Sequence, residues 1–64
     1  MGKKVREVIL LFGMNGWRFV RERGDHKIYS KSGARRPIPI AGKMSREMPP
    51  HEYYSILREA GIDW

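Results

Sequence analysis

The sequence contains no cysteine. A disulfide, a zinc–thiolate site and a nucleophilic thiol are therefore excluded. Long apolar runs are missing as well. The longest, Val8 to Phe12, is far below the ~18 residues that a membrane-spanning helix needs. Acidic residues are scarce, 7 Asp and Glu against 13 Lys and Arg, which leaves a formal charge of +6. Histidine occurs only at His26 and His51, so imidazole chemistry has two candidates. The chain is also short. Its 64 residues make one domain, 1–64, and a domain of this size buries roughly 60% of its unfolded surface. That leaves no room for a deep nucleotide pocket beside a substrate pocket. Chemistry has to run on a shallow surface, on a substrate that brings much of its own binding energy, as a long charged polymer does. Intrinsic disorder is a poor reading for a chain that is 41% hydrophobic and 11% aromatic. The opening Met1-Gly2-Lys3-Lys4 carries no small-residue cleavage site, so the expectation is no signal peptide and a place in the reducing cytoplasm.

The positive charge is concentrated. Residues 18–46 hold nine cations (Arg18, Arg21, Arg23, Lys27, Lys31, Arg35, Arg36, Lys43 and Arg46) and two anions, Glu22 and Asp25, for a net of +7. The flanks carry four cations and five anions and net −1. Concentrated cations beside Trp17, Phe19 and Tyr29 are the footprint of a phosphate-backbone binder. Cations that merely solvate strand faces, or that dock an acidic protein, would give the same composition.

Val5, Val8, Ile9 and Phe12 recur at i, i+3, i+4, i+7, one face of a helix. Met1 falls on the same stripe. Gly16, with Trp17 just beyond it, is suited to ending that helix, and Gly13 is a weak point inside it. Leu10 and Leu11 fall outside the central stripe and are expected to widen the buried face. Residues 17–23 alternate loosely and read as a strand with Trp17 and Phe19 on one face. Gly24-Asp25 is a turn signal. Residues 26–31 read as a second strand, Ser32-Gly33 as a turn, and 35–40 as a third strand with Ile38 and Ile40 on one face. Pro37 and Pro39 sit two apart, so their missing N–H donors face the same side, which only an unpaired edge tolerates. The third strand is therefore the edge of an antiparallel meander. Residues 41–48 read as a loop. Pro49-Pro50 and Glu52 open a last helix, Tyr53, Ile56, Leu57 and Ala60 form its apolar stripe, and Gly61 stops it with Ile62 folding back. The expected fold is α+β, in the order α-β-β-β-α, with a three-stranded antiparallel sheet and both helices on one face.

Four segments carry a family resemblance: Val8-Ile9-Leu10-Leu11 with Asn15-Gly16-Trp17; Arg23-Gly24-Asp25-His26-Lys27-Ile28-Tyr29; Pro37-Ile38-Pro39-Ile40; and Ser55-Ile56-Leu57-Arg58-Glu59-Ala60-Gly61-Ile62. In this order they resemble the HicA (YcfA-like) toxins of type II toxin–antitoxin systems, over nearly the whole chain. The resemblance implies a fold like a double-stranded-RNA-binding domain. It also implies a ribonuclease that cleaves mRNA with neither metal nor small-molecule cofactor, neutralised by a HicB-like antitoxin. The catalytic histidine of the family follows the glycine of a Gly-x-His motif, which is Gly24-Asp25-His26 here. Two features depart from the family pattern: Asp25 stands where Ser is frequent, and residues 43–51 differ from the usual entry to the last helix.

Cleaving RNA without a metal requires the 2′-OH to attack its own phosphorus. A base must take the hydroxyl proton, an acid must protonate the departing 5′ oxygen, and cations must hold the phosphoryl oxygens. Histidine, with an unperturbed pKa of ~6.5, suits the proton work. His51 falls in the first turn of the last helix, where the dipole disfavours an imidazolium, so His26 is the better candidate. Lys27, Tyr29 or solvent could supply the second proton carrier, with Tyr29 more readily read as a packed sheet residue. Ile28 and Tyr29 are both apolar, so alternation leaves open which strand face is core and which way His26 points. Arg23, Lys27, Arg35, Arg36 and Lys43 are the cations expected near RNA. Two other readings fit the same residues: a non-catalytic RNA-binding module of this fold, and a basic protein that only docks an acidic partner.

Overall fold

The computed structural model describes residues 2–63. Among these the elements run β1 (Lys3–Lys4), α1 (Val5–Met14), β2 (Arg18–Arg23), β3 (His26–Ser30), β4 (Ile38–Ala41), β5 (Glu47–Met48) and α2 (Pro50–Ala60). β2, β3 and β4 form an antiparallel sheet in that order, so the fold is the α+β arrangement expected, with α1 and α2 packed on one face. The first and third strands begin later than their patterns predict, at Arg18 and Ile38, and the second ends at Ser30. Met1, expected on the α1 stripe, lies outside the described residues.

The sheet face toward the helices is set by register. Tyr29 pairs with Phe19 on one side and Ile38 on the other, and Lys27 pairs with Ile40. Tyr29, Ile38 and Ile40 are buried against Val5, Val8 and Phe12 of α1 and Tyr53, Leu57 and Ala60 of α2. Phe12 is central: its ring lies 5.3 Å from that of Trp17 and 5.8 Å from that of Tyr29. Burying a side chain of this size contributes roughly 1.5–3 kcal/mol. The ambiguity between Ile28 and Tyr29 is thereby resolved: Tyr29 faces the helices, and Ile28, paired with Pro39, faces away from them.

Both helix ends close on the core. The Trp17 N–H donates back to the Phe12 carbonyl at 2.9 Å, and the buried Trp17 indole N–H donates across the fold to the Ala60 carbonyl at 3.3 Å. Gly61 takes φ +70°, a left-handed conformation that lets the Ile62 N–H reach the Leu57 carbonyl at 2.9 Å. Gly13 does not end α1. Leu10 does not widen the buried face: it is 65% exposed, because it lies roughly 140° around the helix from Val5.

The region read as a loop, 41–48, is more ordered than its composition implies. Ala41 completes β4, and Glu47–Met48 pair with Lys3–Lys4 as a two-residue ribbon. The cause is the start of α1, whose first N–H groups have no partner within the helix. The Val5 N–H donates to the Arg46 carbonyl at 2.8 Å and the Arg6 N–H to the Met44 carbonyl at 3.0 Å. Arg46 in turn grips Glu52 of α2 through two guanidinium hydrogen bonds of 2.9 and 3.0 Å. No helix among the described residues is long and apolar enough to cross a membrane.

Candidate nucleic-acid interface

The β2–β3 hairpin turns on Gly24-Asp25. Gly24 has φ +60°, and among the described residues only glycines take positive φ, so Asp25 follows with negative φ, the sign pattern of a type II′ turn with glycine first. A β-carbon at Gly24 would strain this turn, so the glycine of the motif has a structural reason of its own. The Asp25 carbonyl accepts the Gly42 N–H at 3.0 Å, which ties the turn to the end of β4. His26 is the first residue after the turn. It pairs with Arg23 on β2 and Ala41 on β4, and it is exposed. Its face is the one turned away from the helices, and the small Ala41 leaves one flank of the imidazole open.

Register carries the cations of β2 to that face. Phe19 pairs with Tyr29 on the helix side, but Arg21 pairs with Ile28 and Arg23 with His26 on the open side. Residues 19, 21 and 23 would share a face in a regular strand. A bulge between Phe19 and Arg21 separates them, so the half-exposed Phe19 ring sits edge-on to Tyr29 on the helix side while the two guanidinium groups line up with His26. Arg18, opposite Ser30, stands on the open face too. Arg21 and Arg18 belong to this surface and were not among the cations expected there. The sequence signal for them was the basic character of 18–23, but the bulge that decides their side leaves no mark in composition.

The expected RNA-contacting residues do not form one cluster. Arg23 stands beside His26. Lys27 faces the helix side, where its ammonium lies 3.4 Å from the Gly42 carbonyl and 3.9 Å from Glu22. It tethers the hairpin to the 42–46 segment. Lys43 is exposed and lines, with Lys27, Asp25 and Arg46, a groove of about 520 Å³ under the turn. Arg35 and Arg36 lie at the opposite end of the sheet. Arg36 is five residues from the Ala41 that flanks His26, ~16 Å in extended chain, and its Nε is 3.4 Å from Glu59 on α2. Tyr29 is buried, with Phe19 edge-on at 5.8 Å, and desolvation raises its phenol above the usual pKa. His51 is exposed on α2.

The arrangement is an open, cationic sheet face with one imidazole at its turn end, suited to a polyanion that lies across a surface rather than entering a pocket. No curated protein compared with the chain matches it. The family model described as the HicA toxin of bacterial toxin–antitoxin systems matches residues 5–62. That match opens at the first residue of α1, takes in the whole β2–β3–β4 sheet with its Gly24-Asp25-His26 turn, and closes on the Ile62 that folds back under α2; the chain belongs to the HicA toxin family.

Proposed function

We propose that this toxin is an endoribonuclease that cleaves mRNA without a metal through His26, and that a HicB-type antitoxin neutralises it. The observation that carries the reading is the exposed His26 imidazole across the ladder from Arg23. In the proposed reaction the ribose 2′-OH loses its proton and its oxygen bonds to the adjacent phosphorus. The P–O5′ bond breaks, and the 5′ oxygen takes up a proton, leaving a 2′,3′-cyclic phosphate and a 5′-OH. His26 carries one of these two protons. Tyr29, buried with its phenol pKa raised, and Lys27, on the opposite face, are poorly set for the other, which leaves it to solvent. Arg23 and Arg21 face the phosphoryl oxygens, where charge-assisted hydrogen bonds are strongest.

The test is cleavage of single-stranded RNA by wild-type protein and by the folded His26→Ala variant, with and without a chelator. Loss of product at retained RNA affinity, unaffected by the chelator, is the expected result. Undiminished cleavage by His26→Ala overturns the role of His26. RNA binding with no product from the wild type selects the non-catalytic RNA-binding module instead.

A further inference from the structure

We propose that the free edge of β2 docks an extended acidic segment of a protein partner, which joins the sheet as a fourth strand beside Arg21 and Arg23. The proposal rests on the pairing of this toxin with a protein and not on the ribonuclease chemistry.

The two sheet edges are chemically unlike. On β4, Ile38 and Ile40 sit opposite Tyr29 and Lys27, and the alternate positions that face outward include Pro37 and Pro39, which have no N–H to offer. That edge is closed to a further strand. On β2 all six residues are exposed, and among the described residues only β3 pairs with it. The Arg23–His26 pair closes a two-residue hairpin, so it exchanges both of its hydrogen bonds within the hairpin. The next pair does not, and the N–H and C=O of Glu22 point outward. The bulge at residue 20 sets the limit of regular pairing, which leaves Arg21 to Arg23 to fix the register of an incoming strand.

Charge selects the occupant. β2 holds Arg18, Arg21 and Arg23 against Glu22 alone, a net of +2. A second copy of this chain paired through the same edge would set these arginines against one another, and like charges directly across a ladder are destabilising. The charge that prevents self-pairing favours an acidic strand. A segment alternating acidic and apolar residues would place carboxylates beside Arg21 and Arg23 on the open face. Its apolar side chains would fall beside Phe19, which is 53% exposed, on the other. RNA also complements the charge, but it cannot complete a main-chain ladder.

The test uses a short capped peptide of alternating glutamate and valine, titrated into the full-length protein and followed by amide NMR and hydrogen exchange. Expected are shifts and slowed exchange confined to residues 18–23, several-fold or more weaker binding by Glu22→Pro, and no loss in Glu22→Ala, which keeps the outward N–H and removes a negative charge. A peptide with lysine in place of glutamate should not bind. No shift at millimolar peptide, or equal binding by Glu22→Pro and Glu22→Ala, overturns the proposal. Should Glu22→Pro fail to fold, the exchange pattern of Glu22→Ala with the two peptides decides. These readouts are independent of RNA cleavage, so a failed His26→Ala assay leaves them standing, and the reverse holds as well.

Discussion

Arg23 lies directly across the β2–β3 ladder from His26, at the pair that closes the Gly24-Asp25 turn. Side chains at such positions have β-carbons roughly 4.5–5.5 Å apart, so a guanidinium and an imidazole can share one phosphate. The turn holds this pair in place, since the Gly42 N–H pins the Asp25 carbonyl from β4. Arg23→Ala should lower RNA cleavage roughly ten-fold or more, the cost of one charge-assisted hydrogen bond of about 1.5–3 kcal/mol. The slope of log affinity against log salt should flatten by about 0.7, the value for one phosphate contact on a single strand. Arg36→Ala should do less, because Arg36 sits at the far end of the sheet beside Glu59. Equal losses from the two variants, in cleavage and in salt slope, would contradict this placement.

The bulge makes a second prediction. Val20 is the extra residue of the bulge, so deleting it makes Phe19 and Arg21 direct neighbours in a regular strand. Alternation then keeps Phe19 opposite Tyr29 on the helix side and Arg21 and Arg23 on the open side. RNA affinity should stay close to that of the wild type. A folded deletion variant that loses RNA affinity, measured beside the wild type, contradicts this register.

How much of this was legible in the sequence depends on the length of the signal. Helices α1 and α2 repeat their apolar residues over ten or eleven positions, and the Gly61-Ile62 stop is local chemistry, so both were readable. The β4 edge was readable because proline states its own constraint. β1 and β5 were not: two residues carry no period, and their pairing answers a need of α1, not a preference of Glu47 and Met48. The candidate site divides in the same way. His26 follows a turn that glycine announces. Which way it faces depends on whether Ile28 or Tyr29 is core, and that is decided by Phe12 and Ile38, distant in sequence. Arg35 and Arg36 look contiguous with Arg23 in the chain, but the antiparallel return of β4 places them at the other end of the sheet.

Trp17 joins the start of the sheet to the end of α2. Its indole N–H is its polar tie, to the Ala60 carbonyl, and its ring packs on Phe12. Trp17→Phe keeps most of the apolar surface and removes the donor. The cost should be about 1 kcal/mol in urea-induced unfolding, with the denaturant slope unchanged. Trp17→Ala removes the ring as well and should cost about 3–5 kcal/mol, enough to unfold most of a domain this small. Equal stability of wild type and Trp17→Phe would show that the hydrogen bond contributes nothing net.

The contact between Arg46 and Glu52 should make stability depend on pH. The Glu52 carboxyl is held below its ordinary pKa, first by the hydrogen bonds from Arg46 and then by the Arg46 charge, against an opposing desolvation. A carboxylate with a depressed folded pKa stabilises above its unfolded value of ~4.3 and loses that contribution as pH falls through the folded value. Both side chains are partly solvent-exposed, so screening holds the contribution below about 1 kcal/mol. Glu52→Gln should therefore be slightly less stable than wild type near neutrality, and the two should converge in acid. The gap should also narrow with added salt, since part of it is Coulombic. Urea unfolding at neutral pH and at pH ~2, each in low and high salt, reads both effects. A gap that persists undiminished in acid would assign the loss to packing of the 41–48 segment against α2, not to the ion pair.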